Sequence, residues 1–150
     1  MTPKEFKTKL LKGETLPKGL VVDGWLDLND CISLTPLPSG LVVKGSLWLA
    51  SCINLTHLPE GLVVEVDLGL AGCTSLTHLP SGLKVGYWLV LEGCTSLTHL
   101  PFDLVVEGSL HIDKHLIDRI PREDLPCYIG LLDKSNQADY FLQRLTNHDS

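Results

Sequence analysis

Large rings are scarce in this chain. Three Trp, three Tyr and three Phe make up 6% of 150 residues, although hydrophobic residues reach 44%. An apolar core of leucine and valine with so few rings predicts a small repeated unit. Basic residues are also few: 12 Lys and Arg stand against 18 Asp and Glu, for a net charge of -6. That argues against a nucleic-acid or anionic-membrane binder, whose affinity rests on clustered cations. No apolar run approaches the roughly 20 residues that span a bilayer. The stretch MTPKEFKTKL has no hydrophobic segment of the secretory kind. The protein is therefore expected in a cytoplasm, its own or that of a host. Catalytic signatures are missing too: there is no GxSxG, no glycine-rich phosphate loop followed by Lys, and no HExxH. A non-enzymatic protein without cofactors is expected.

What is plentiful is leucine, with 31 residues. The pair Leu-Pro recurs at Leu16, Leu37, Leu58, Leu79 and Leu100, always 21 residues apart. Between the pairs runs LPxGLxVxGxLxLxxCxxLTx, with small departures, in four copies over residues 16–99. A fifth copy, from Leu100 to about Ile120, is degenerate and one residue short. Five leucine positions never vary in the complete copies, and 23 of the 31 leucines lie on these ladders. One such unit cannot bury its own apolar side. Stacked in register at about 4.8 Å per step, each buries it against an identical neighbour.

The expected fold is a mainly β solenoid of five coils starting at residues 16, 37, 58, 79 and 100. The alternating segments 25–29, 46–50, 67–71 and 88–92 predict parallel strands with Leu inward. The preceding GLxV piece predicts a second short strand. Leu-Pro-x-Gly fits a turn in which Pro presets φ and Gly relieves the fourth position. Gly24, Gly45 and Gly108 mark the corner between the strands, although Val66 at that place means a left-handed backbone is not obligatory there. Helices should cap both ends. Over residues 1–15, Thr2, Pro3 and Glu5 read as a helix start, Phe6, Leu10 and Leu11 as its apolar side and Gly13 as its stop. Over residues 121–150, an irregular connector to about residue 135 precedes a helix at 136–146 carrying Tyr140, Phe141, Leu142 and Leu145.

The string L-x-L-x-x-C-x-x-L, with Leu-Pro opening the next unit, resembles the leucine-rich-repeat family over residues 16 to about 120. The units LPSGLVVKGSLWLASCINLTH and LPEGLVVEVDLGLAGCTSLTH look most like the bacterial LPX-type subclass of YopM- and IpaH-like effectors. The resemblance implies a right-handed, leucine-rich-repeat-like coil that binds protein through its strand face. Two departures stand out: Cys31, Cys52, Cys73 and Cys94 occupy the place where those effectors usually have Asn, and the unit is longer. The large catalytic domain that follows the repeats in ubiquitin-ligase effectors is not expected here, so no ligase activity is carried over.

Stacking would set neighbouring cysteine α-carbons about 5 Å apart, within disulfide reach. The position nevertheless reads as an inward ladder of reduced thiols, small buried hydrophobes suited to a reducing compartment. Cys127 lies outside the ladder. His57, His78 and His99 form another column, just before Leu-Pro. Metal binding there is the weaker reading, because ligands stacked along an axis converge poorly. A solvated polar ladder is the simpler one.

All three tryptophans fall on outward strand positions, Trp25 and Trp88 in one column and Trp48 in the next. Their neighbours on that face include Asp27, Asp67, Val90, Glu92 and His111, with no basic residue in these columns. Exposed Trp among acids matches the anchor-and-rim composition of a protein interface. These eight residues are the candidate binding site for a protein partner. The alternatives are that the C-terminal segment folds over the rings, that the rings pack on one another, or that the face self-associates. A different class of reading is an acidic inhibitor or nucleic-acid mimic of phage or pathogen origin. The acids, however, form no continuous column.

Overall fold

The structure is a computed structural model that describes residues 1–34 and 36–146. Residues 147–150 of the expected C-terminal cap lie outside these. The chain is a parallel β-solenoid in which every coil contributes two strands. One sheet contains β1 (Val21–Val22), β3 (Val42–Val43), β5 (Val63–Val64), β7 (Lys84–Val85) and β9 (Val105–Val106). The other contains β2 (Leu26–Asp27), β4 (Leu47–Trp48), β6 (Leu68–Gly69), β8 (Leu89–Val90) and β10 (Leu110–His111). Pairing follows the sequence period without slippage: Val21 lies opposite Val42, and Leu26 opposite Leu47. The second short strand expected from GLxV is present in all five coils.

The interior is built from ladders. Val22, Val43, Val64, Val85 and Val106 of the first sheet are buried with Leu26, Leu47, Leu68, Leu89 and Leu110 of the second. Leu28, Leu49, Leu70 and Leu91 extend the same core. Each strand is only two residues long, so its hydrogen bonds alone could not hold a coil. Burial of each leucine against its counterparts supplies what the short strands lack, and truncating one such side chain costs about 2–5 kcal/mol.

Each complete coil has two left-handed corners. At the first, Gly19, Gly40, Gly61 and Gly82 of Leu-Pro-x-Gly have φ of 73–75°. At the second, just before the cysteine, Gly72 and Gly93 are left-handed, as are Asp30 at 62° and Ser51 at 60°. The corner between the two strands is mixed: Gly24 has a positive φ of 146° there, and later coils do not. Gly108 does not take the left-handed region, but a Cβ there would fall 2.5 Å from the Tyr87 carbonyl oxygen. Its requirement is close approach of stacked backbones.

The ends are capped by helices. In α1 (Pro3–Leu11), the Thr2 hydroxyl accepts from the Glu5 amide at 3.1 Å, and Phe6 and Leu10 are buried. Leu11 is exposed, one residue and about 100° round the helix from Leu10. It is therefore not part of the apolar side. The Asp23 amide donates to the Met1 carbonyl at 3.0 Å, which engages the edge beside β1. At the other end, α2 (Lys114–Arg119) replaces the second corner of the fifth coil. The expected irregular connector contains a 3-10 helix (Arg122–Tyr128) and α3 (Ile129–Leu132). Leu125, Tyr128 and Leu132 are buried at spacings of three and four, so the segment packs as short helical turns. Before α4 (Ala138–Thr146), residues 134–136 pair with β10: the Leu110 amide donates to the Lys134 carbonyl at 3.3 Å, and the Asn136 amide to the Leu110 carbonyl at 3.1 Å. That covers an edge of the second sheet. Among the described residues no helix is long and apolar enough to cross a membrane.

The left-handed corners generate a stability prediction. No atom lies within 4 Å of a Cβ placed on Gly82, whereas one on Gly61 would lie 3.3 Å from the Gly40 α-carbon. Gly82→Ala should therefore cost about 1–2 kcal/mol from backbone strain alone, and Gly61→Ala more. Urea denaturation of the two variants checks the order; a Gly61→Ala variant as stable as Gly82→Ala contradicts the close-packed corner.

Candidate functional site

The outward face of the second sheet is where the repeat leaves side chains free to vary. Leu26, Leu47, Leu68 and Leu89 point into the core, so their immediate neighbours along each strand point out. Trp25 is 70% exposed and Trp88 40%, while Trp48 is half-buried. Residues 134–136 run beside β10, and these two rings remain exposed, so among the described residues the C-terminal segment does not fold over them.

The indoles lie down along the stack. A Cβ on Gly45 would meet Cδ1 of Trp25 at 2.4 Å, and one on Gly69 would meet Cε3 of Trp48 at 2.4 Å. Each ring therefore rests over a glycine of the next coil. Gly108 of the next coil stands to Trp88 as Gly45 does to Trp25, but the atoms nearest a Cβ there belong to the Tyr87 backbone, and Trp88 packs against rings. Tyr87 stacks with it at 5.4 Å between centroids and 12° between planes, and His111 lies at 5.2 Å, tilted by 59°. The aromatic residues thus form separate groups: Trp25 on the first coil, Trp48 on the second, and Tyr87, Trp88 and His111 on the fourth and fifth. Tyr87, 51% exposed, was not among the sequence candidates. It sits at the between-strand corner that Gly24, Gly45 and Gly108 occupy elsewhere, and this departure was the available signal. His111 carries a buried Nε2 without a hydrogen-bond partner among the described residues.

Several polar residues of this face hold neighbouring coils together. The Asp67 carboxylate accepts from the Trp88 amide at 3.0 Å, and the Ser46 hydroxyl accepts from the Asp67 amide at 3.2 Å. Asn29 accepts from the Ala50 amide at 2.7 Å, and Asp113 from the Gly93 amide at 2.7 Å. Asp27 accepts locally, from the Asn29 amide at 3.0 Å. Of the acids proposed as rim, Asp67 is thus a half-buried bridge between coils, whereas Asp27 and Glu92 are exposed. Val90, half-buried, lies in register between Gly69 and His111.

The cysteine ladder lies inside from the second coil on, whereas Cys31 of the first coil is half-buried. The thiols of Cys52, Cys73 and Cys94 donate to the Leu28, Leu49 and Leu70 carbonyls of the preceding coil at 3.0–3.1 Å. All five cysteines are free, and Cys127 is exposed. Burial pushes the Cys73 thiol up to about 11 and the Cys94 thiol up to about 12. Both are neutral, unreactive groups at physiological pH. The histidine column has another geometry. The hydroxyls of Thr56, Thr77 and Thr98 bond Nδ1 of His57, His78 and His99 at 3.0–3.1 Å. His57 and His78 stack in parallel, 6.4 Å apart and 4° between planes. Among the described residues no three His, Cys, Asp or Glu are placed to hold a metal ion.

Two predictions follow from this geometry. Gly69→Ala should lift the Trp48 ring and shift tryptophan emission to the red in a folded protein; an unchanged spectrum contradicts the ring-on-glycine contact. The raised thiols set a pH dependence. Their protonated form is favoured by folding, so stability is full below the ordinary thiol value of 9.0 and falls as pH climbs through about 11 and 12. In thermal melts between pH 8 and 12, Cys73→Ala should flatten that decline; a slope equal to that of the parent protein overturns the assignment.

Compared with known proteins, the chain matches no family model, no curated protein and no solved structure.

Proposed function

We propose that the protein is a non-enzymatic binding module that captures a protein partner through the outward face of its second sheet. Trp25, Trp48 and Trp88 are the anchors, and Asp27, Glu92 and His111 lie around them. The observation that carries this reading is the exposure of Trp25, Tyr87 and Trp88 on a rigid, repeat-built surface. Trp and Tyr are the residues most enriched where interfaces concentrate their affinity. A stack of hydrogen-bonded coils holds such rings in place before a partner arrives, which lowers the entropy lost on binding. The leucine-rich-repeat resemblance supports the same face. The free thiols support action in a reducing compartment, in keeping with a cytoplasmic protein.

The acidic-mimic alternative draws on the net charge of -6 and on a face without Lys or Arg. It is weaker because Asp67 and Asp113 spend their carboxylates on backbone amides of neighbouring coils. Self-association remains a use of the same rings, with a second copy as the partner.

Alanine at Trp25 and Trp88 should leave the fold intact and weaken partner capture by roughly 30-fold for each ring that acts as a hot spot. Affinity capture with mass spectrometry, comparing the parent with the folded double variant, identifies the partner and tests the face. A partner captured equally by both proteins sinks the proposal. Binding that collapses as salt is raised points to the acidic reading instead, and concentration-dependent sedimentation of the parent alone points to self-association.

A further inference from the structure

Residues that break the 21-residue pattern yet meet in space are those the scaffold does not need. Away from the outward face, such residues meet in a cleft of about 420 Å³ between the last coil and the C-terminal cap. Phe102 fills the x of Leu-Pro-x-Gly, where earlier coils carry Lys18, Ser39, Glu60 and Ser81. It is 67% exposed, and its ring stacks on Tyr128 at 5.4 Å between centroids and 22° between planes. Tyr128 is itself buried, with its hydroxyl donating to the Leu100 carbonyl, so this aromatic wall is fixed.

Arg119 stands just before Ile120-Pro121, at the place in the unit where earlier coils have His57, His78 and His99 before Leu-Pro. Its Nη1 donates to the Leu97 carbonyl, which anchors the guanidinium at that end of the cleft. Among the described residues no carboxylate pairs with it. His99 lines the same cleft; its Nδ1 is bonded by the Thr98 hydroxyl, and that leaves Nε2 available. Asp124 lines the Tyr128 end, where burial and then its own charge push the Tyr128 phenol up. A half-buried guanidinium and a free imidazole edge beside an exposed ring are unusual in a chain of net charge -6.

We propose that this cleft binds a small planar aromatic monocarboxylate, with its ring against Phe102 and its carboxylate on Arg119 and His99. Leu100 and Ile120 supply the apolar floor. Guanidinium and carboxylate meet in a two-point hydrogen-bonded geometry, which selects a carboxylate over a neutral amide. Asp124 and the overall negative charge disfavour phosphate esters and nucleic acid. The volume falls in the range of small-ligand sites. The cleft is separate from the outward strand face, so the two proposals stand or fall independently.

The test is an amide-detected NMR titration with 4-hydroxybenzoate, to about 5 mM, against its uncharged counterpart 4-hydroxybenzamide. Expected are saturable shifts confined to amides around Leu97–Leu104 and Arg119–Tyr128, with Kd on the order of 1 mM. The amide should bind about tenfold more weakly. Phe102→Ser and Arg119→Gln should each weaken the benzoate by a similar factor. Serine already occupies the Phe102 position in the second and fourth coils, so the first variant decides the question even if Arg119→Gln disturbs the fold. The assignment is overturned by the absence of shifts, by shifts spread over the outward face, by equal response to the amide, or by undiminished binding to the folded Phe102→Ser protein.

Discussion

Register between coils is the constraint on which everything else in this protein depends. No coil has enough of its own surface to hide its leucines, and no strand has enough residues to stand by hydrogen bonding. Each coil is stable only because an identical one lies above or below it. A slip of one residue would turn an entire strand's leucines into solvent. The sequence guards against that with side-chain bridges as well as leucines. Thiols of Cys52, Cys73 and Cys94 reach the preceding coil from inside. Asn29, Ser46 and Asp67 join coils on the outside. Polar residues on both surfaces thus act on the same quantity as the apolar core: the alignment of one turn on the next.

How legible this was depended on whether a residue took part in the period. The coil length, both strands, the Leu-Pro-x-Gly corner and the inward cysteines could be read because four copies agree at those positions. The fifth coil loses the pattern, and there α2 and the 3-10 helix went unrecognised, since a short helical turn shows no long periodicity. Leu11 was misjudged because a nine-residue helix offers too few turns to define a narrow buried face. On the outward surface, alternation told which side Trp25 and Trp48 occupy. It could not tell that each ring lies down over a glycine one coil away, because that depends on side-chain rotamers and on a residue 20 or 21 positions distant. Asp67 looked like a free charge for the same reason: its partner is an amide of the next coil.

Scaffold and departure therefore divide the work. Invariant positions are consumed by stacking and carry little information about ligands. The residues that differ from coil to coil, notably the tryptophans, Tyr87, Phe102 and Arg119, are those with freedom to meet something else. The caps make this division workable. Met1 beside β1 at one end, and residues 134–136 beside β10 at the other, occupy sheet edges that would otherwise recruit further strands from other chains.

The unbroken pairing of Val21 with Val42 and of Leu26 with Leu47, repeated down the stack, has a metric consequence. Trp25 and Trp88 occupy one column three coils apart, so their separation along the axis is about three strand spacings, ~14 Å. It cannot be adjusted by a fraction of a coil. A whole unit gained or lost between the two rings moves them by one fixed increment, and a change confined to a corner leaves the strand spacing as it is. The fold is in that sense a graduated ruler. Any target that touches both rings must present features at one of its marks.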